Sequence, residues 1–147
     1  MIRYWIYIIV FLIGIFLTNL LSEGGIQNLL NIYSFIISGV FPFILVCILF
    51  GFKETILAFS VLCKKKTEKD VLLNAQNVFK IYGRIIWFTG IAAIIIIIVS
   101  MLAHLEDISL LGLNLHIILM TILYNSIIYI GLIIPYTVYI NKNLRHQ

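Results

Sequence analysis

The stretch IIWFTGIAAIIIIIVSMLA, residues 85–103, decides how this chain folds. It contains no charged residue, and its length is close to the roughly 20 apolar residues that a helix needs to cross a bilayer. Within it, residues 94–99 form a β-branched run that favours a strand in water. A lone strand would leave its backbone N–H and C=O groups unpaired in hydrocarbon, so the stretch is predicted to be a membrane helix.

The rest of the chain repeats this apolar pattern. Its 147 residues are 63% hydrophobic and 11% charged, with a mean hydropathy of +1.13. A soluble domain of this size cannot bury so much apolar surface, because a large share of a small fold stays exposed. We therefore predict a single all-α membrane domain over residues 1–147. Its four transmembrane helices are expected at about 4–20, 33–52, 84–103 and 115–140, with a polar loop at 64–80 that ends in a short solvated helix.

The basic residues predict the orientation of these helices. All ten flank the predicted spans on one side: Arg3, Lys53, Lys64, Lys65, Lys66, Lys69, Lys80, Arg84, Lys142 and Arg145. The two opposite loops carry Glu23, Glu106 and Asp107 instead. Because loops rich in Lys and Arg stay in the cytoplasm, both termini and the loop at 64–80 are predicted to be cytoplasmic.

Several function classes lose support from the same pattern. The net charge of +4 sits at the ends of apolar runs, whereas nucleic-acid binding needs basic residues clustered on a soluble face. Cys47 and Cys63 lack the spacing of a metal or redox motif and are interpreted as structural thiols. His104 and His116 match no ligand motif and are interpreted as polar rim residues. We expect no enzyme activity, no cofactor and no metal site.

Polar residues inside the predicted spans concentrate in the fourth helix. Thr121, Asn125 and Tyr129 recur every four residues and share one face, which Tyr124 flanks. One interpretation is a stripe that faces a pore or a partner helix. The other is hydrogen bonding between helices of this chain, worth about 1 kcal/mol for each bond. No Asp, Glu, Lys or Arg lies at the middle of a predicted helix, so the chain alone offers no proton carrier.

Residues 87–135 resemble the last two transmembrane helices of the MotA/TolQ/ExbB proton-channel family, in particular its flagellar stator subunits. The chain reads WFTGIAAIIIIIVSMLAHLEDISLLG at 87–112 and LHIILMTILYN at 115–125. Positions shared with the family pattern are Gly90, Met101, Leu102, Leu105, Asp107, Ser109, Gly112, Thr121, Leu123, Tyr124 and Pro135. Gly24 and Gly25, and Lys53 with Glu54, add weaker matches in the first half of the chain.

The resemblance implies a subunit of an ion-driven channel or stator complex, moving protons or sodium ions in the bacterial inner membrane. Five copies would surround a single-span partner similar to MotB or ExbD, which supplies the membrane Asp. The third and fourth helices would line the ion path. The residues expected to face the channel or partner are Thr121, Tyr124, Asn125, Ala92 and Ala93. Pro42, Gly90 and Pro135 are expected to be structural, with Pro42 kinking the second helix.

Three positions depart from the family pattern and keep a second function open. Trp87, Ile94 and Ile97 stand where the family has a Pro, a Thr and a Gly. Small residues allow helices to approach closely, so the isoleucines imply a different interior. The short loop at 64–80 also lacks the long insert with which stators contact a rotor. The alternative is a non-conducting membrane scaffold or assembly protein that keeps the stator fold.

Overall fold

The structure is a computed structural model that describes residues 2–21, 30–61 and 68–145. The polar segment predicted after the first helix, with Glu23, and the lysines at 64–66 lie outside these residues. The described residues form helices and the turns that join them, and no strand occurs among them. The all-α prediction is therefore confirmed for this part of the chain.

The chain divides into two compact units, Met1–Ile32 and Tyr33–Gln147. Helix α1, Ile2–Leu21, belongs to the first unit and is a regular helix of 20 residues. Its described side chains are mostly apolar, as Val10 and Leu12 illustrate.

An apolar helical stretch that contains Pro42, Ile32–Phe50, opens the second unit, whose first residue is Tyr33. It consists of α2 (Ile32–Phe35), a π-helical segment at Ile36–Val40, which we call the first π segment, and α3 (Phe41–Phe50). At the end of the π segment, the amide of Phe41 donates to the carbonyl oxygen of Ile36, five residues back. Pro42 follows in the first turn of α3. Because it has no N–H, it cannot donate to a carbonyl of the turn before it. The distortion predicted at Pro42 thus takes the form of one wide turn directly before it.

Gly51 ends α3 and separates it from the amphipathic helix α4, Phe52–Ser60. Its φ of 83° and ψ of 149° lie in a region that is essentially open to glycine alone. The next turn is secured by Thr55, whose hydroxyl donates to the carbonyl of Gly51 at 2.9 Å. Thr55 and Ala58 are buried, and α4 packs against the long helix α5.

Helix α5 runs without a break over 35 residues, Lys69–Ala103. The sequence analysis assigned residues 64–80 to a loop with a short helix, and started the third span at 84. The structure instead makes residues 69–80 the first turns of α5. The physical reason is an apolar stripe at helical spacing, Leu72, Ala75, Val78 and Phe79, which is buried beneath α4 and α7.

A short turn at 104–107 leads into the last helical stretch, Ile108–Arg145. It consists of α6 (Ile108–Ile128), the second π segment (Tyr129–Ile133) and α7 (Ile134–Arg145). Ile134 donates its amide to the carbonyl of Tyr129, again five residues back, and Pro135 follows at once. Pro135 is buried, as Pro42 is, so each proline is preceded by one π turn.

An aromatic cluster joins α3, α4, α5 and α7. Phe59 lies at its centre, with ring centroids 4.9 Å from Phe79 and 6.0 Å from Tyr136. Phe43 and Tyr82 complete the cluster around the same ring. The hydroxyl of Tyr136 donates to the carbonyl oxygen of Phe59 at 3.0 Å, which ties α7 to α4.

Three helical stretches are long and apolar enough to cross a bilayer: Ile32–Phe50, Lys69–Ala103 and Ile108–Arg145. They correspond to the second, third and fourth predicted spans, with the third extended at its start. In the region of the first predicted span, α1 contributes a shorter apolar helix, Ile6–Leu17. The four-span count therefore stays a prediction.

Candidate functional site

Four polar side chains of the apolar helices are buried between α2, the first π segment, α5 and α6. Ser34 and Ser38 bond to α6 at Ile117 and Thr121, and Asn125 lies one turn beyond Thr121 on the same helix. We call Ser34, Ser38, Thr121 and Asn125 the polar seam. Each has 0–1% of its surface exposed. Ser34 donates to the carbonyl of Ile117 at 3.1 Å, and Ser38 donates to the carbonyl of Thr121 at 3.3 Å. These bonds therefore hold the stretch Ile32–Phe50 against α6.

Thr121 is the hydroxyl that links the two sides. Its Oγ1 lies 2.8 Å from the carbonyl oxygen of Ile117 and 3.3 Å from Oγ of Ser34. A hydroxyl has one proton, so it donates to one of these acceptors at a time. The shorter bond lies within α6, and the contact with Ser34 crosses to α2. In both cases the Thr121 hydroxyl is bonded within its own chain. Contact between Thr121 and a partner chain stays a prediction.

Asn125 lies one turn further along α6 and contacts α5 at Gly90. A Cβ added at Gly90 would overlap Nδ2 of Asn125. The buried Oδ1 of Asn125 has no hydrogen-bond partner in the described structure. Leaving a buried acceptor unpaired costs about 1–3 kcal/mol. Asn125 is therefore the one seam residue with an unmet bonding capacity, and Gly90 provides the room that it occupies.

Ser34 and Ser38 are seam residues that the sequence analysis missed. They lie four residues apart in an apolar run, the same spacing that singled out Thr121 and Asn125 in α6. Two such pairs on different helices are a signal for polar packing between them. The pairing itself is not local, because Ser34 and Thr121 are 87 positions apart.

The remaining candidate residues lie in different surroundings. Tyr124 is half-buried and packs edge-on against Phe35, with centroids 6.3 Å apart. Ala92 is exposed and Ala93 is half-buried. The three positions that depart from the family pattern are also accessible in part, since Ile94 and Ile97 are half-buried and Trp87 contacts Tyr129.

The last 13 residues of α5, residues 91–103, include no buried side chain. The last buried position of the helix is Gly90, opposite Asn125. Beyond it, the side chains of Ile96 and Leu102 are 69% and 63% exposed. We call residues 91–103 the uncovered end of α5. Its side chains are apolar except for Ser100, so a long hydrophobic surface of α5 is left largely uncovered by the other described helices of the second unit.

Charged residues lie at two opposite ends of the second unit. Asn74 donates to Oε2 of Glu54 at 2.6 Å, and Gln76 donates to Oδ1 of Asn141 at 2.7 Å. These bonds bring together the parts of α4, α5 and α7 that carry Lys53, Lys69, Lys80, Arg84, Lys142 and Arg145. The acidic turn at 104–107 lies at the other end of α5. Helical rise places it about 30 Å from Arg84, which is close to the thickness of a bilayer's hydrocarbon.

The acidic turn is organised as a helix cap. Asp107 is the N-cap of α6 and accepts from the hydroxyl of Ser109 at 2.6 Å and from the amides of Ser109 and Leu110. These bonds, with the Ser109 hydroxyl first, lower the pKa of Asp107 below its ordinary value. His104 bonds to the carbonyl of Ser100 at 3.0 Å. No group of three His, Cys, Asp or Glu side chains able to hold a metal occurs in the described ranges.

Comparison of the chain with protein-family models, with curated proteins and with solved structures finds no match. The site is therefore defined by its own geometry. It consists of the polar seam, whose hydroxyl groups bond within the chain, and the unpaired amide oxygen of Asn125 beside Gly90. The uncovered end of α5, residues 91–103, begins directly after Gly90.

Proposed function

We propose that this chain is a multi-pass subunit of an ion-driven complex of the stator-channel type in a bacterial inner membrane. It would cross the membrane four times and assemble as a ring, with five copies around a single-span partner that carries an acidic residue. The observation that carries the proposal is the exposed, largely apolar surface at the uncovered end of α5, residues 91–103. In water this surface would be strongly unfavourable, whereas lipid and neighbouring subunits would cover it.

The exposed surface of α5 suits close contact with another helix at one position. Ala92 is exposed near the start of the uncovered end of α5, and small residues let membrane helices approach one another. Ala92 is also one of the positions at which the family resemblance implies contact with the channel. This agreement between an independent surface property and the resemblance supports assembly through α5.

The chain would depend on its partner for ion binding. No Asp, Glu, Lys or Arg lies in residues 85–103 of α5 or in residues 108–128 of α6, so neither of these apolar stretches carries an ion-binding charge. Asn125 is the polar group with an unmet bonding capacity at the α5–α6 contact. In this proposal the partner supplies the carboxyl group, and Asn125 supplies a neutral acceptor next to the path.

Labelling of single cysteines tests the membrane topology. In a background with Cys47 and Cys63 replaced by Ser, a cysteine at Glu106 should react with an impermeant maleimide in intact cells. A cysteine at Asn143 should react only after the cells are permeabilised. Reaction of Glu106→Cys from the cytoplasmic side alone would contradict the proposed orientation.

Particle images along the membrane normal test the assembly. We expect the purified chain in nanodiscs to form a ring with five-fold symmetry. Ala92→Trp should reduce the ring fraction, because an indole cannot fit a close helix contact. Ile48→Trp is the matched control, since Ile48 is 73% exposed on a different helical stretch. A wild-type chain that remains monomeric in nanodiscs, with and without copurifying single-span proteins, would overturn the proposal.

A non-conducting scaffold is the second candidate, and the state of Thr121 favours it. The Thr121 hydroxyl is buried and bonded within its own chain, so it offers no free group to an ion path. Ion flux into liposomes separates the two functions, using the chain reconstituted with the single-span protein that copurifies with it. Flux in the wild type that falls in Thr121→Ala supports conduction. A ring that assembles but gives no flux supports the scaffold.

A further inference from the structure

A groove on the second unit has a composition unlike the rest of its surface. It lies between α5 on one side and the second π segment with α7 on the other, and its volume is about 480 Å³. Lys80 and Arg84 lie on its α5 side, and Trp87 follows one turn further along. Tyr129 and Ile133 form the opposite side. Cationic, aromatic and aliphatic side chains thus follow one another along a single cleft.

Gly83 forms the floor of this groove. A Cβ at this position would lie 3.0 Å from Cε2 of Tyr129 and 3.2 Å from Cγ2 of Ile133. The lack of a side chain lets the second π segment approach α5 closely, and the larger residues on either side of Gly83 then stand above it as walls. The Trp87 and Tyr129 rings meet at 6.2 Å with an interplanar angle of 65°. The shape of the groove is therefore fixed by packing between α5 and the second π segment.

The two cations of the groove have no counter-charge among the residues that the structure describes. Lys80 and Arg84 are exposed, and neither forms a hydrogen bond or an ion pair with any residue in the described ranges. No Asp or Glu lines the groove. The two residues are four apart on one helix face, so both can reach a single anionic group placed between them.

The position of the groove along α5 indicates the chemistry of that group. Arg84 is the last charged residue before the apolar stretch at 85–103, so the groove straddles the change from polar to apolar sequence. Trp and Tyr residues, such as Trp87 and Tyr129, prefer the head-group level of a bilayer. A ligand that fits both ends must carry an anionic head and an apolar tail.

We propose that this groove binds one acidic glycerophospholipid. Its phosphate lies between Lys80 and Arg84, and the start of an acyl chain follows Trp87, Phe88 and Ile133. Basic pockets between membrane helices on the cytoplasmic side are suited to such head groups. This inference rests on the membrane location proposed above, and it is independent of ion conduction.

Quenching of Trp87 fluorescence by brominated lipids tests the proposal. The full chain with Trp5→Phe retains Trp87 as its single tryptophan and is reconstituted in vesicles of phosphatidylcholine. Phosphatidylglycerol with brominated acyl chains is then compared with brominated phosphatidylcholine at equal mole fraction. We expect the acidic lipid to bind near Trp87 at least fivefold more strongly. Each of Lys80→Gln and Arg84→Gln should reduce this preference about fivefold, the factor that corresponds to about 1 kcal/mol per cation.

Matched variants and a competitor separate the groove from general surface charge. Lys142→Gln with Arg145→Gln removes two cations of α7 that do not line the groove, and it should leave the preference unchanged. An equal loss in this control would overturn the groove as the site. Displacement of the acidic lipid by inorganic phosphate at millimolar concentration would assign the site to a soluble anion instead, and would also overturn the proposal.

The same measurement separates failure of the groove from failure of the membrane location. Equal quenching by the two brominated lipids would reject selective binding while leaving Trp87 in contact with lipid. No quenching by either lipid would place Trp87 away from the bilayer, and the membrane location proposed for α5 would fail with it.

Discussion

The side-chain amide of Asn125 occupies the space that a methyl group at Gly90 would need. A Cβ at Gly90 would overlap Nδ2 of Asn125, so Gly90→Ala must displace a buried amide from the α5–α6 contact. We expect Gly90→Ala to destabilise the protein by about 1–3 kcal/mol, the usual cost of overpacking. Thermal unfolding in detergent, followed by tryptophan fluorescence, measures this loss.

Two further variants define the cause of that loss. Gly112→Ala is the control, because a Cβ at that exposed position would have no neighbouring side chain or other helix within 4 Å, and it should be neutral or slightly stabilising. Adding Asn125→Ala to Gly90→Ala should restore much of the lost stability, since it removes both the overlap and the unpaired oxygen. A double variant no more stable than Gly90→Ala would contradict the packing described here.

The hydrogen bond between Thr121 and Ser34 should appear as an energetic coupling between two helices. In a double-mutant cycle with Thr121→Val and Ser34→Ala, we expect a coupling of about 0.6 kcal/mol, typical of hydroxyl pairs between membrane helices. Thr89 provides the control, because its hydroxyl donates only within its own helix, to Ile85 at 2.7 Å or Ile86 at 3.2 Å. A cycle of Ser34→Ala with Thr89→Val should give no coupling. Equal values in the two cycles would argue against a direct bond.

Gly51 should resist replacement by any residue with a side chain. At φ 83° and ψ 149°, an L-residue is strained by about 1–3 kcal/mol. We expect Gly51→Ala and Gly51→Asn to lower the unfolding temperature by similar amounts. Asn offers no relief, because its tolerance of positive φ applies near a ψ of about 47°. Substantial rescue by Asn would indicate a different backbone conformation at the α3–α4 junction.

The cap at Asp107 should make the start of α6 sensitive to acid. Hydrogen bonds lower the pKa of Asp107 below its ordinary value of 3.8, so its charge stabilises the folded cap at higher pH. This contribution is present above that ordinary value and is lost as the pH falls through the lowered folded-state pKa. Exchange protection of the Ser109 and Leu110 amides, corrected for intrinsic rates, should fall in acid. In Asp107→Asn the same protection should be independent of pH. An acid response in this variant equal to that of the wild type would show that Asp107 is not the titrating cap of α6.

The sequence alone predicted those parts of the fold that depend on local composition. The uncharged residues 85–103 predict a helix because no other conformation satisfies their backbone in an apolar setting, and they lie within α5. Pro42 likewise predicts a local distortion, because it lacks an amide proton. Pro135 was predicted only to be structural, although the same reasoning applies to it. The helical class of the described chain follows from such features alone.

The sequence alone did not predict those parts of the structure that depend on contacts between residues far apart in the chain. Residues 69–80 are polar enough to be taken for a loop, and their helical form follows from burial of Leu72 and Phe79 beneath other helices. The spacing of these apolar residues was visible beforehand, but the surface that covers them was not. Similarly, Thr121 marked a polar face, while its partner Ser34 could be assigned only once the first apolar stretch was placed against α6.

The two π segments have a consequence for how this chain tolerates insertions and deletions. A π turn contains one residue more than an α turn. The side chains of α7, which follows Tyr129–Ile133, therefore face the same directions as they would in a regular α-helix that is one residue shorter. Loss of one residue there would tighten the turn without rotating Tyr136 or Ile140 away from their contacts. The same loss within α6 would rotate everything downstream by about 100°. Since a tightened turn would press Pro135 against a carbonyl, the extra residue and the proline should be gained or lost together.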